Sequence, residues 1–233
     1  MDPRRPVAAD PALIAFACLL LPLAVVHLCY TLSVAGGHLP LCVPYVQGCT
    51  SISATGRYGV AYFVFKGGML PTAVLVAAFW WLASLWLAGL GARRVAARRW
   101  MLALGLTGAA FLALYTVFLG HKGEVYNLMR RFGVTVYFGT SYLAALLLVD
   151  RAWQCEEVPR RLRRALLTAV TVLLVLGLGS IPVSNFVADK DPIENAIEWV
   201  FTLLLFGFYG LAGLAFRATG FCLVAELQPP ARR

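Results

Sequence analysis

Charge is scarce in this chain. Only 13% of its 233 residues are Asp, Glu, Lys or Arg, and 61% are hydrophobic. Soluble domains carry about 25% charged and about 45–50% apolar residues. The shortage excludes an ordinary soluble domain and a solvated disordered chain. Histidine is rarer still: the three residues His27, His38 and His121 stand at no metal-ligand spacing. The six cysteines contain no Cys-x-x-Cys pair, so no metal centre and no cofactor is expected. There is no internal repeat of the kind from which many transporters are built. A recognisable nucleophile–base motif is also missing.

What the chain has instead is long apolar runs. Six are long enough to cross a hydrocarbon core of ~30 Å, over about residues 11–34, 58–90, 100–120, 132–149, 165–181 and 192–216. They predict an all-α, polytopic membrane bundle of six transmembrane helices in one domain spanning 1–233. Ser33-Val34-Ala35 resembles a cleavage site, but the apolar stretch before it is about twice the length of a signal-peptide core. Span 1 is therefore read as an uncleaved helix.

The formal charge of +9 is distributed as a membrane signal and not as a nucleic-acid surface. Arg4 and Arg5, the arginines at 93, 94, 98 and 99, those at 151, 160, 161, 163 and 164, and Arg217, Arg232 and Arg233 all fall on one side of the threaded spans. They are fourteen of the 20 basic residues. The positive-inside rule then puts both termini in the cytoplasm. Membrane lipids with anionic or phosphate-bearing headgroups are the expected partners, and no nucleic acid. Arginine- and alanine-rich usage and short loops point to a bacterial inner membrane, with a eukaryotic endomembrane or plasma membrane as the alternative. Oligomeric state is not legible.

Residues 35–57 form the one long connection, on the outer side. Loops of this length are often functional segments. Cys42 and Cys49 lie in it, either as a disulfide or as two thiols. The tail after Arg217 reads as flexible.

Ionisable groups in or near a bilayer are costly and mark candidate sites. Lys66 lies about two turns into span 2, beside Gly67 and Gly68 and just before Pro71, which should tilt or kink the helix. Glu198 lies one turn inside span 6, beyond a helix start at Asp191-Pro192-Ile193-Glu194 in which Asp191 is the expected cap. Lys66 is the partner expected for Glu198 by depth, and Arg131 the second choice. His121, Lys122, Glu124, Arg130 and Arg131 crowd the outer connection between spans 3 and 4. Paired guanidiniums suit phosphate. Lys66, Arg130, Arg131 and Glu198 are therefore the candidate headgroup ligands.

Several short motifs resemble the Frag/DRAM/Sfk family of six-span proteins, which includes autophagy modulators and proteins of GPI-lipid remodelling. The residues are Tyr30, Gly37-His38, Pro44-Tyr45-Val46, the polar run 50–56, and Glu198-Trp199. The sequence departs from the family pattern at Gln47-Gly48-Cys49, at Arg57-Tyr58 and at Met129-Arg130-Arg131. The resemblance implies a helical membrane fold linked to lipid handling. Tyr30, Gly37, His38, Pro44, Tyr45, Glu198 and Trp199 are the positions it carries over.

The favoured reading is a non-catalytic protein that binds or regulates lipid at the outer leaflet. Its charged pocket would lie at the outer ends of spans 2, 3, 4 and 6. The alternative is a lipid-remodelling enzyme, for acyl transfer or hydrolysis. In it His121 or Glu198 would be the base, and Ser51 or Ser53 the nucleophile or a positioning hydroxyl. A transporter or channel is the third reading.

Overall fold

The structure is a computed structural model and describes residues 7–92, 94–121, 123–186 and 190–225. Lys122 and several outlying arginines, Arg93 among them, lie outside the described residues. Six long helices carry the apolar runs: α1 (Ala12–Ala35), α4 (Gly59–Gly89), α5 (Val95–Phe118), α6 (Glu124–Trp153), α7 (Arg160–Phe186) and α8 (Asp191–Ala218). Each is long and apolar enough to span a membrane. Helix is the form these runs must take, because lipid offers backbone N–H and C=O groups no partner.

The helices form a ring. α1 packs on α4 and α8, α4 on α5, α5 on α6, and α7 on α8. The seam between α6 and α7 is the sparsest of these adjacent pairs. Aromatics fill the core, where Phe79 meets Tyr209 edge-on at 4.8 Å and Trp80 at 5.0 Å. Close approach of α1 and α4 depends on Gly68, where a Cβ would fall 2.2 Å from Val25 Cγ2. Gly67 meets open space. α4 runs through Pro71 as one helix.

Three boundaries differ from the sequence reading. α6 begins at Glu124, eight residues before the predicted start of span 4. Arg130 and Arg131 are therefore helical and not in a loop. Asp191 opens α8 as its first residue and does not cap it, with Lys190 in the cap position and its ammonium 3.9 Å from Glu194. The tail also folds further than expected. Arg217 pairs with Asp10 at 2.9 Å, Trp86 Nε1 donates to Thr219 Oγ1 at 2.9 Å, and β2 (Leu223–Ala225) pairs antiparallel with β1 (Val7–Ala9).

The long connection is folded, with two short helices, α2 (Pro44–Gln47) and α3 (Ile52–Thr55). Cys42 and Cys49 are joined as a disulfide. The Tyr30 hydroxyl donates to the carbonyls of Pro40 (3.2 Å) and Cys42 (2.9 Å) and accepts from the Cys42 N–H at 2.8 Å. On the other flank Asn195 Nδ2 donates to Gly48 O and Trp199 Nε1 to Thr50 O, both at 2.9 Å. Gly48 has φ +56°, and a Cβ there would lie 1.6 Å from Pro192 O. Only glycine satisfies both demands.

Candidate functional site

The folded connection covers one end of the bundle, and the candidate site lies beneath it. A cavity of about 640 Å³ is lined by side chains of five elements. Ser53 and Arg57 come from α3 and the turn after it, Tyr115 from α5, and Arg130 and Arg131 from α6. Gly177 and Ser180 come from α7, and Glu194 and Glu198 from α8. Val134, Phe138, Ile197 and Phe201 make the apolar part of the wall.

Glu198 is held from above. The Arg57 guanidinium and the backbone N–H groups of Ser53 and Ile52 act on its carboxylate. These N–H groups belong to the first turn of α3 and have no partner within that helix, so a carboxylate suits them. Ser51 caps the same turn, accepting from the Ala54 N–H at 3.2 Å. Arg57 also donates through Nη2 to Ser53 Oγ at 2.5 Å and through Nε to Ser53 O at 3.1 Å. Arg130 donates to Asn127 Oδ1 at 3.1 Å and stands close enough to Arg57 and Arg131 to feel both charges. Three guanidiniums thus share the cavity with two carboxylates.

Lys66 is not the partner of Glu198. Its ammonium donates to Tyr62 Oη at 2.6 Å and to Val117 O at 3.0 Å, and it does not line the cavity. The physical reason is the last turn of α5, whose carbonyls lack helical partners and attract a cation. Arg57 takes the role expected of Lys66. In the sequence Arg57 stands out only as a departure from a pattern, and its one legible signal is a cation just before an apolar span. Tyr115, buried in the same cluster, carries no signal in the sequence. The pocket also differs from expectation in its walls: span 2 contributes nothing, and span 5 contributes Gly177 and Ser180.

His121 stands apart, stacked on Tyr126 at 5.2 Å and absent from the cavity lining. This candidate base and the serines are therefore not brought together. Ser51 is engaged as a helix cap and lies 3.2 Å from Ser53 Oγ, and Ser53 accepts from Arg57. Among the described residues there is no cluster of His, Cys, Asp or Glu that would hold a metal.

Of the family-like residues, Glu198 lines the cavity, and Tyr30, Tyr45 and Trp199 form an aromatic cluster with His27. Trp199 meets Tyr45 (5.2 Å), His27 (5.6 Å) and Tyr30 (6.2 Å) edge-on. His27 Nδ1 lies 2.7 Å from Leu23 O, which requires a proton on that nitrogen. In the neutral ring Nε2 then accepts from the Tyr45 hydroxyl, 3.0 Å away. Burial pushes the Tyr45 phenol above its ordinary value, which keeps it a donor. Pro44 is buried at the start of α2. Gly37 (φ +71°) turns the chain out of α1, and His38 stacks on Tyr58 at 4.9 Å. His27 is not legible as a site residue from sequence, since a lone histidine on an apolar helix looks like core.

Six spanning helices and a folded connection define an integral, multi-pass membrane protein. Residues 11–219 match the model of the Frag1/DRAM/Sfk1/Cwh43P N-terminal domain, and the chain belongs to that family. No curated protein and no solved structure matches it.

Proposed function

We propose that this protein binds an anionic lipid without transforming it. The headgroup phosphate sits in the arginine-lined cavity, and an acyl chain leaves between α6 and α7. The observation that carries this reading is one cavity that joins Arg57, Arg130 and Arg131 to an apolar wall at the sparsest seam of the ring. Guanidinium forks bind phosphate bidentately. The volume, about 640 Å³, falls within the roughly 300–1,000 Å³ of small-molecule sites. By the positive-inside rule this end faces away from the cytoplasm, so the occupant belongs to the outer leaflet. Regulation follows if occupancy alters how the connection docks, because Glu198 and Arg57 touch both.

The test is native mass spectrometry of the protein from nanodiscs of mixed anionic and neutral phospholipid. Wild type retains an anionic lipid over phosphatidylcholine. Arg57→Gln and Arg130→Gln each lower that retention roughly ten-fold or more, since a hydrogen bond to a charged group is worth about 1.5–3 kcal/mol. Retention unchanged in both variants would sink the reading. Lyso products accumulating with time in wild type, and not in Glu198→Gln, would replace it with the enzymatic one.

A further inference from the structure

The opposite end of the α6–α7 seam holds a second constellation that the cavity above does not use. The turn from α6 to α7 encloses a basin of about 290 Å³ lined by Trp153, Glu156, Arg160, Arg163 and Arg164. Arg163 Nη1 donates to Trp153 O at 2.8 Å and its guanidinium lies 5.8 Å from the Trp153 ring centroid. The Nε atom of Arg163 is shielded from solvent and meets no partner. Trp153 also walls a separate groove of about 350 Å³, with Leu146, Val149, Leu167 and Val170 along it. Asp150, at the rim of that groove, is paired with Arg151.

We infer that this basin and groove form a second lipid site, for an anionic glycerophospholipid whose phosphate lies among Arg160, Arg163 and Arg164 and whose acyl chain follows the groove between α6 and α7. Three arguments support the occupant. The basin sets three guanidiniums against one carboxylate, Glu156. The arginines occupy the first turns of α7, which has no acidic residue in its first turn. A helix N-terminus already carries positive potential, so cations there are at the wrong end, and an anion relieves both sources of charge. The basic basin and the apolar groove meet at Trp153, which gives the site the head-and-tail shape of a lipid. Trp153 is also 44% exposed, as expected of an aromatic residue at a headgroup interface. Positive charge in a connecting segment would satisfy topology anywhere along it; the enclosed basin and its apolar continuation are the features that topology alone does not require.

The experiment counts bound lipids by native mass spectrometry. The full chain is placed in nanodiscs of phosphatidylcholine with a minor fraction of phosphatidylglycerol, as wild type and on the Arg57→Gln/Arg130→Gln background. On that background one phosphatidylglycerol is expected to remain. Changing Arg160, Arg163 and Arg164 to Lys keeps the topology-setting charge and removes the guanidinium forks, and should lower retention about ten-fold. Leu167→Trp fills the groove and should lower phosphatidylglycerol retention while leaving binding of glycerol phosphate unchanged. Retention that is the same for phosphatidylcholine and phosphatidylglycerol, or indifferent to the lysine changes, overturns the proposal. So does binding of free glycerol phosphate or inorganic phosphate that Leu167→Trp leaves intact with no lipid retained in wild type, because the occupant is then a soluble anion. If wild type holds a single lipid that is lost only in the lysine variant, the first cavity's reading fails and this one stands.

Discussion

Gly48 shows how much one residue can decide. A side chain there meets left-handed strain and the carbonyl of Pro192 at once. Gly37 has φ +71° but open space around it. Gly37→Ala is therefore expected to cost only the backbone strain, about 1–2 kcal/mol. Gly48→Ala should cost clearly more, because α2 and α8 must separate; melting temperatures of the two variants in one detergent make the comparison. Tyr45 supplies a pH prediction. Its folded value lies above its ordinary one near 10, so folding favours the protonated phenol. That contribution is fully present below the ordinary tyrosine value and fades as pH rises through the folded one. Tyr45→Phe should lose about 1 kcal/mol at neutral pH and flatten the alkaline fall in stability, read from thermal unfolding across pH. Thiols give a third check. Burial and nearby Glu157 push the Cys155 thiol up, whereas Cys222 is exposed. A maleimide should modify Cys222 first in the folded protein, and faster labelling of Cys155 would contradict the packing beside α6.

Among elements, the connection between α1 and α4 departs furthest from a plain loop. Its disulfide joins residues 7 apart, which in the chain-entropy picture contributes roughly 2 kcal/mol. Cys42→Ser/Cys49→Ser should lower stability by about that amount or less, because Tyr30, Asn195 and Trp199 hold the segment independently. Unfolding followed with and without reductant measures it. The same element explains Glu198: a carboxylate at membrane depth is tolerable because α3 turns its first N–H groups onto it and Arg57, just after α3, adds a cation. α6 offers the contrasting case. Its first turns are polar enough to read as loop, yet Gly133 is buried directly against the backbone of Tyr115, and this contact with α5 brings Arg130 to the cavity.

For the molecule as a whole, the ring has one thin seam with charged constellations near both its ends. Gly177 lines the upper cavity with room for a side chain: a Cβ added there would meet its nearest neighbour, Phe201 Cε2, at 3.8 Å. Gly177→Leu should therefore narrow the seam without a large loss of stability, and slow lipid exchange measured with a labelled anionic lipid. Faster or unchanged exchange would argue that lipid does not pass between α6 and α7. At the other end the two terminal segments clasp one another through Asp10 with Arg217 and β1 with β2, and Trp86 of α4 holds Thr219.

Composition and hydropathy by themselves determined the six spans and the helical class, because a bilayer leaves an apolar chain of this kind so few options. Short motifs also identified the family, and Glu198 and the adjacent Arg130 and Arg131, singled out in the sequence, line two walls of the cavity. Partner choice was decided only in three dimensions. Lys66 and Glu198 match in depth, but depth says nothing about which way a helix is rotated, and the free carbonyls at the end of α5 claim Lys66. Arg57, Tyr115 and His27 acquire their roles through contacts across the ring, and the fold of residues 35–57 depends on α8, a helix far away in the chain. Local sequence sets which helices form; the rotation and docking of each are set by neighbours distant in the chain, and those contacts built the cavity.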